Sequence, residues 1–336
     1  YYLQPDAYAL TLRGRLSRGT RLIIQSCDIQ QISTREAILF SAEQVRENKA
    51  AIGQDTSTVY DDLRRNVNSL DVQQAIEAYR RLYQFPVDPY TAWMNRYDVI
   101  TNSARQAMSR TIGSLQNPPK FSIVMPTYNT PARFLHAVIH SVERQVYPHW
   151  ELCIADDASS QPHVAEILCA AEKRDPRIKL CLRKENGHIS AASNSAIRLA
   201  TAPWIVLLDH DDEIPEHALF VMAQAIAQNP NAKLFYSDED KCDEKGNRKE
   251  PYFKPGFAPD LLRGQNYVSH LGIYARDIVE KIGGFRSSLD GSQDYDLLLR
   301  AVECISADQI VHVPHILYHW RMIEGSAAAG PQDRRG

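Results

Sequence analysis

Trp204-Ile205-Val206-Leu207-Leu208-Asp209-His210-Asp211-Asp212-Glu213 joins five apolar residues to a stretch in which four of the next five are acids. An unbroken apolar run of this kind reads as a strand buried on both faces, as in a parallel sheet covered by helices. The acids that follow repel one another unless a cation or hydrogen-bond donors neutralise them. In extended chain, residues i and i+2 face the same way, so Asp209 and Asp211 can face one ligand together. Carboxylate oxygens suit hard cations such as Mg2+ or Mn2+. His210 lies between the acids and points away from them. The competing reading is a solvated acidic turn ahead of a helix from Pro215 to Gln228.

Three more strand–helix pairs precede this one. Phe121 to Met125, Glu151 to Ala155 and Ile178 to Leu182 read as strands. Helices are expected from Pro131, from Val164 to Glu172 and from Ser190 to Ala200. Alternation of this kind predicts an α/β sheet with right-handed crossovers and ligands beyond the carboxyl ends of the strands. The first strand ends in Pro126-Thr127-Tyr128-Asn129 and the second in Asp156-Asp157-Ala158-Ser159. Either aspartate could simply cap the following helix. Asn186-Gly187-His188-Ile189-Ser190 opens a helix after the third strand, with Asn194 one turn on; such a turn can approach an anion or a ribose closely.

Later, Tyr236-Ser237-Asp238-Glu239-Asp240-Lys241 reads as the end of a strand that begins at Lys233. Gly291-Ser292-Gln293-Asp294-Tyr295-Asp296 opens a helix with Ser292 as N-cap, and an acid at Asp294 suits its first turn. Ile316-Leu317-Tyr318-His319-Trp320-Arg321 reads as a last strand ending in cationic and metal-competent side chains. His136 and His140, spaced i, i+4, read as surface histidines.

The 336 residues carry a net charge of −3, which disfavours a protein that coats nucleic acid. Six cysteines without a C-x-x-C pair suit buried thiols and a reducing compartment. No apolar stretch reaches the roughly 18 residues of a membrane span, and no signal peptide is visible. A chain beginning Tyr1-Tyr2 is expected to be cut from something longer. Composition changes near Asn117-Pro118-Pro119. Residues 1–117 are expected to be a mainly helical accessory or linker region, with a capping box at Ser33-Thr34-Arg35-Glu36. Asp71 is expected to cap a helix bearing Ile76, Tyr79, Leu82 and Tyr83, and Arg21 to Ile24 to be a short strand. Tyr90, Trp93 and Tyr97 form a stripe whose plain reading is packing. The Gly-, Pro- and charge-rich residues 326–336 are expected to be a tail or truncation point.

Taken together, residues 118–325 resemble the family 2 glycosyltransferases of the GT-A fold, a Rossmann-like central mixed sheet flanked by helices. The motifs are Pro126-Thr127-Tyr128-Asn129, Asp156-Asp157-Ala158-Ser159, Leu208-Asp209-His210-Asp211-Asp212, Gly283-Gly284-Phe285 and Gln293-Asp294-Tyr295-Asp296. The runs at 236–241 and 317–321 resemble transferases of bacterial O-antigen and surface polysaccharide. The resemblance implies an inverting, metal-dependent enzyme using Mn2+ or Mg2+ and a UDP- or dTDP-sugar donor. The acceptor would be a glycan or lipid-linked glycan, at a cytoplasmic location with room for peripheral membrane association and further domains.

The same resemblance distributes roles. Pro126, Thr127, Tyr128, Asn129, Asp157, Asn186, Gly187, Ser190, Asn194, Asp209, His210 and Arg321 would hold the nucleotide sugar. Asp209, Asp211 and His319 would hold the metal, and Asp294 would be the catalytic base. Asp238, Glu239, Gln293 and Trp320 are candidates for donor-sugar or acceptor contacts. The family's base motif commonly reads Glu-Asp; here it is Gln293-Asp294, which keeps the base and loses the neighbouring charge. A metal-dependent nucleotidyltransferase is the alternative, but it calls for a Gly-rich loop after the first strand, and none is present. A non-catalytic glycan-binding scaffold would be expected to have lost these carboxylates.

Overall fold

The computed structural model describes residues 33–51, 55–67, 69, 74, 79, 82 and 88–322. They belong to two compact units, 1–89 and 90–336.

In the first unit, α1 (Thr34–Ala51) and α2 (Ser57–Asn66) share a small core of Ile38, Ala42, Val45, Tyr60, Leu63, Val67 and Leu82. The capping box forms: Glu36 N–H donates to Ser33 Oγ at 3.2 Å and Ser33 N–H to Glu36 Oε2 at 2.7 Å. Arg21 to Ile24, Asp71, Ile76 and Tyr83 lie outside the described residues, as does the tail at 326–336.

The second unit opens with α3 (Pro89–Tyr97) and α4 (Asn102–Gly113), ahead of the composition change at 117. Met108, Ile112 and Leu115 pack on the main core, and Arg105 donates twice to Glu216, at 2.8 and 2.7 Å. Then come β1 (Phe121–Thr127), α5 (Ala132–Glu143), β2 (Trp150–Asp156), α6 (Pro162–Arg174), β3 (Ile178–Leu182), α7 (His188–Leu199), β4 (Trp204–Leu207) and α8 (Ala218–Gln228). The helix expected from Pro215 starts at Ala218, whose N–H closes a turn on Pro215 O at 2.9 Å. The remaining elements are β5 (Leu234–Cys242), β6 (Arg248–Tyr252), α9 (Pro259–Gly264), β7 (Gly272–Ala275), α10 (Arg276–Lys281), α11 (Gln293–Val302) and β8 (Ile310–Arg321).

The sheet runs β3-β2-β1-β4-β7-β5-β6, with β8 parallel to β5. β1 to β4 pair in parallel, whereas β7 is antiparallel to both β4 and β5. Every residue of β1 and β2 is buried, as their apolar runs require. Alternate side chains feed two cores: Ile123 and Met125 join Leu135, Leu152 and Phe235, whereas Val124 joins Cys153, Ala192 and Leu298. Each large apolar chain so buried contributes about 1.5–3 kcal/mol.

β5 corrects one expectation. The acids at 238–240 do not end the strand; it continues through them to Cys242. Each acid is buried against a base from elsewhere. Asp238 meets His312 at 2.7 Å, Glu239 meets Lys254 at 2.9 Å, and Asp240 meets His319 and Arg248, both at 2.6 Å. Among the described residues all five cysteines are free, and no helix is long and apolar enough to cross a membrane.

Candidate active site

The carboxyl ends of β1 to β4 open onto a cavity of about 330 Å³ lined by Pro126, Thr127, Tyr128, Asp157, Asn186, His188, Ile189, Ala192 and His210. Its floor is set by Asp157, which is 2% exposed. The Asp157 carboxylate accepts from Arg183 Nε at 2.7 Å and from Gly187 N–H at 3.0 and 3.2 Å. Asn186 Nδ2 donates to the Asp157 carbonyl at 3.1 Å. The glycine at 187 is needed because a Cβ there would lie 2.5 Å from Arg183 Nη2 and 2.9 Å from Ala191 Cβ. Arg183 is thus an organising residue that the sequence reading missed; its only signal was a cation directly after the third strand. Thr127 lines the cavity with its hydroxyl shared with Thr130 at 2.7 Å.

Pro126 and Ile189 also border a second cavity, of about 300 Å³, with Asp209, His270, Gln293, Asp294 and Trp320. A third, of about 570 Å³, shares Ser269, Gly291, Asp294 and Trp320 with the second and adds Glu239, Asp240, Tyr252 and Tyr295. Asp294 therefore stands on the wall common to the second and third cavities. It lies in the first turn of α11, where the helix dipole favours a carboxylate, and accepts from Asn266 Nδ2 at 2.8 Å. Gln293 folds back to take Gly291 N–H at 2.7 Å.

At the acidic run, Asp209 Oδ2 is 3.5 Å from His270 Nε2. Desolvation raises the Asp209 carboxyl above its ordinary value; His270 acts against that, and the Asp211 charge adds to it. Asp212 is fully buried: Oδ2 accepts from Tyr318 Oη and Oδ1 from Arg321 N–H, both within 2.7 Å. Burial, then the charges of Asp211 and Asp209, hold its carboxyl well above the usual range. Asp212 thus braces the run that carries Asp209 and Asp211. His270, also missing from the sequence reading, stacks on Tyr318 at 4.4 Å and 13°. Its loop is clamped by buried Lys254, whose Nζ donates to Glu239 at 2.9 Å, to Val268 O at 2.8 Å and to His270 O. The signal for Lys254 was a lone cation between Phe253 and Pro255.

Several expected site residues are spent elsewhere. Asn129 turns its Oδ1 to the N–H groups of Ser160 and Gln161 at 2.8 and 3.2 Å, holding the next loop. Ser190 is buried, its N–H on Asp290 Oδ1 at 3.1 Å and its hydroxyl on Arg286 O at 3.2 Å. Asn194 gives both ends of its amide to the Phe285 backbone at 2.9 Å. Arg321, expected at a diphosphate, is 3% exposed and bonded to Asp211 O at 2.9 Å, to Asp243 O at 3.3 Å and to Glu213. His319 is buried with Nδ1 on Asp240, and Asp238 is buried with His312 and Lys254 N–H. Among the described residues no three His, Cys, Asp or Glu side chains converge as a metal-holding group, so His319 does not join Asp209 and Asp211 as a third ligand. The acidic run is not extended as expected: it turns at 210–211 with Asp212 N–H on Asp209 O at 3.4 Å, so that Asp209 lines the second cavity, His210 the first, and Asp211 none of the three. The Asp211 charge still acts on Asp209, and such a pair suits an ion of the Mg2+ type, which binds through one or two carboxylates with water and substrate phosphates supplying the rest.

The sequence profile of glycosyl transferase family 2 matches residues 122–283. A protein of Escherichia coli named as a colanic acid biosynthesis glycosyl transferase, WcaA, is 31% identical over 218 residues, covering 60% of this chain and 75% of that one. The chain belongs to the family 2 glycosyltransferases. It is also 37% identical over 241 residues to the O-antigen biosynthesis protein RfbC of Myxococcus xanthus, covering 71% of this chain and 18% of RfbC. The chain spans between about a fifth and a quarter of the length of its longer curated relatives. In fold, this glycosyltransferase is similar to TarS of S. aureus, crystallised with UDP-GlcNAc. The TM-score is 0.53, with 18% identity, covering 64% of this chain and 62% of that one. The architecture is that of GT-A.

Proposed function

We propose that this chain transfers a sugar, with inversion, from a UDP- or dTDP-sugar to a hydroxyl of a growing glycan in bacterial surface-polysaccharide synthesis. The observation that carries the reading is Asp294, on the wall between a cavity that continues into the Asp157 pocket and a wider one open to an acceptor. The nucleotide occupies the first cavity, its sugar the second, and the acceptor the third. Asp294 accepts the proton of the acceptor hydroxyl as that oxygen bonds to the anomeric carbon. The bond from the anomeric carbon to the phosphate oxygen breaks, and the nucleoside diphosphate leaves with the electron pair. Asn266 orients the Asp294 carboxylate. A divalent ion, Mn2+ or Mg2+, held at Asp209 and Asp211 would supply charge compensation for the departing diphosphate.

In this reading residues 118–325 are the transferase domain, 1–117 serve it, and the reaction takes place in the cytoplasm at the inner membrane face. A nucleotidyltransferase is less well supported, since Pro126 to Pro131 offers no glycine for a phosphate loop. The test is a screen of nucleotide sugars with Mn2+, following nucleoside diphosphate release in wild type and Asp294→Asn. The variant is expected to bind donor with wild-type affinity and to lose about 100-fold or more in transfer. Transfer at the native rate by Asp294→Asn would refute the base assignment; release of pyrophosphate from a nucleoside triphosphate and a sugar 1-phosphate, with no nucleoside diphosphate formed from any nucleotide sugar, would favour the nucleotidyltransferase.

A further inference from the structure

Tyr252, 36% exposed, lines the acceptor-side cavity, and Phe253 follows it in the chain. Phe253, 51% exposed, meets Trp93 of α3 edge-on at 5.3 Å. Trp93 lies nearly parallel to Tyr90 at 5.8 Å and 19°, and Tyr97, 53% exposed, follows at 6.1 Å. The helix bearing these rings is fixed to the cavity itself. Tyr90 Oη donates to Asp240, a lining residue. Arg248 donates from Nε to Asp240 at 2.6 Å and from Nη2 to Tyr90 Oη at 2.9 Å, and pairs with Asp98 at 2.6 Å.

We propose that this aromatic patch is an extension of the acceptor site, which seats the sugar units of a neutral glycan that lie behind the accepting one. The inference rests on the transferase reading above. A pyranose ring offers a flat face of C–H bonds bordered by hydroxyls, and a half-exposed aromatic ring matches such a face. A contiguous exposed apolar patch marks a surface that something covers. What marks a glycan as the occupant is the link to the cavity in which an acceptor hydroxyl must reach Asp294: Phe253 follows the lining residue Tyr252 in the chain, and Tyr90 is bonded to the lining residue Asp240. Charge narrows the class. Among the charged residues lining that cavity, Glu239 is paired to Lys254 at 2.9 Å, Asp240 to Arg248 at 2.6 Å and Lys241 to Glu250 at 2.8 Å, whereas Asp294 is bonded to the neutral Asn266 amide. A uronic or phosphorylated accepting unit would meet the Asp294 charge there.

The test uses the full chain and immobilised oligosaccharides of two and six units from neutral gluco-, manno-, galacto-, rhamno- and N-acetylglucosamine series, with hyaluronan fragments as anionic controls. At least one neutral series is expected to bind more tightly at six units than at two, and the anionic controls to bind weakly or not at all. Tyr97→Ala and Phe253→Ala, whose side chains are half exposed, are expected to weaken the six-unit ligand about tenfold while leaving the two-unit ligand unchanged. Their melting temperatures and UDP affinities should match wild type. Trp93→Ala should do the same more strongly. Equal affinity at both lengths, no binding in any neutral series, or binding indifferent to all three substitutions would overturn the inference. Loss of binding to phosphatidylglycerol vesicles in these variants, with no glycan bound by wild type, would overturn it in favour of a lipid surface. Binding of UDP or dTDP by wild type is the separate control: absence of both refutes the transferase reading, whereas presence of either without length-dependent glycan binding refutes only the extended site.

Discussion

Glu151 should prove to be the strongest single polar anchor of the sheet, at the edge opposite the candidate site. Its side chain is 4% exposed. One oxygen accepts from Ser122 Oγ at 2.6 Å, Thr201 N–H at 2.5 Å and Ala202 N–H at 3.2 Å; the other meets Lys179 at 2.9 Å. Three parallel strands and the loop before β4 therefore converge on one carboxylate. Burial alone would raise its pKa, but the hydrogen bonds from Ser122, Lys179 and Thr201 outweigh burial and bring it to about 2. Against an unfolded value of 4.5, that shift corresponds to about 3.4 kcal/mol. Lys120 and Lys179 are half and one-third exposed, so solvent screening reduces the figure to about 2–3 kcal/mol.

The folded pKa is depressed, so this stability is present above pH 4.5 and is lost as pH falls from there towards 2. Urea unfolding of wild type and Glu151→Gln at pH 7 and pH 3 measures it. The variant should be less stable by about 2–3 kcal/mol at pH 7, with the gap shrinking to about 1 at pH 3. A gap below about 0.5 kcal/mol at pH 7, or one that does not shrink in acid, would refute the reasoning.

Gly284 has φ +70°, and a Cβ there would fall 2.4 Å from Asn194 Oδ1. Gly284→Ala should cost about 2–4 kcal/mol in chemical denaturation, from the left-handed backbone and the displaced Asn194–Phe285 bonds. His217 is 6% exposed, and desolvation lowers its pKa to about 4. Wild-type stability should therefore fall as pH drops from 6.5 towards 4, by up to about 3 kcal/mol, and His217→Leu should flatten that slope in acid titrations of the melting temperature. Asp211→Ala should abolish any Mn2+ enhancement of UDP affinity measured by calorimetry; an enhancement of wild-type size would show that the ion is held elsewhere.

The strand–helix alternation was legible because it is local: the stretch from Ile178 to Leu182 is the strand β3, residue for residue. So was the placing of Asp157, Asp209 and Asp294 around joined cavities, since each sits at an element end that its own neighbours define. What escaped was the use to which polar groups are put by partners far along the chain. Asn194 bonds a residue 91 positions away, and Arg321 one 110 positions away. Their chemistry suits a ligand and a buried backbone equally, and only the tertiary fold decides between them. His270 and Lys254 went unnoticed because neither belongs to a run or a period. The acids of β5 looked like a strand terminus because unpaired acids cannot be buried, and the pairing bases come from 248, 254, 312 and 319.

That row of acids has a consequence for any attempt to shorten the protein. Two of its three members are hydrogen-bonded from β8, by His312 and His319. A chain ending before residue 310 would leave Asp238 with no imidazole and Asp240 with Arg248 and Tyr90 alone, in an interior that tolerates unpaired charge poorly. The last strand is thus the counterweight of β5, and a shortened piece that keeps both pairings must run through His319.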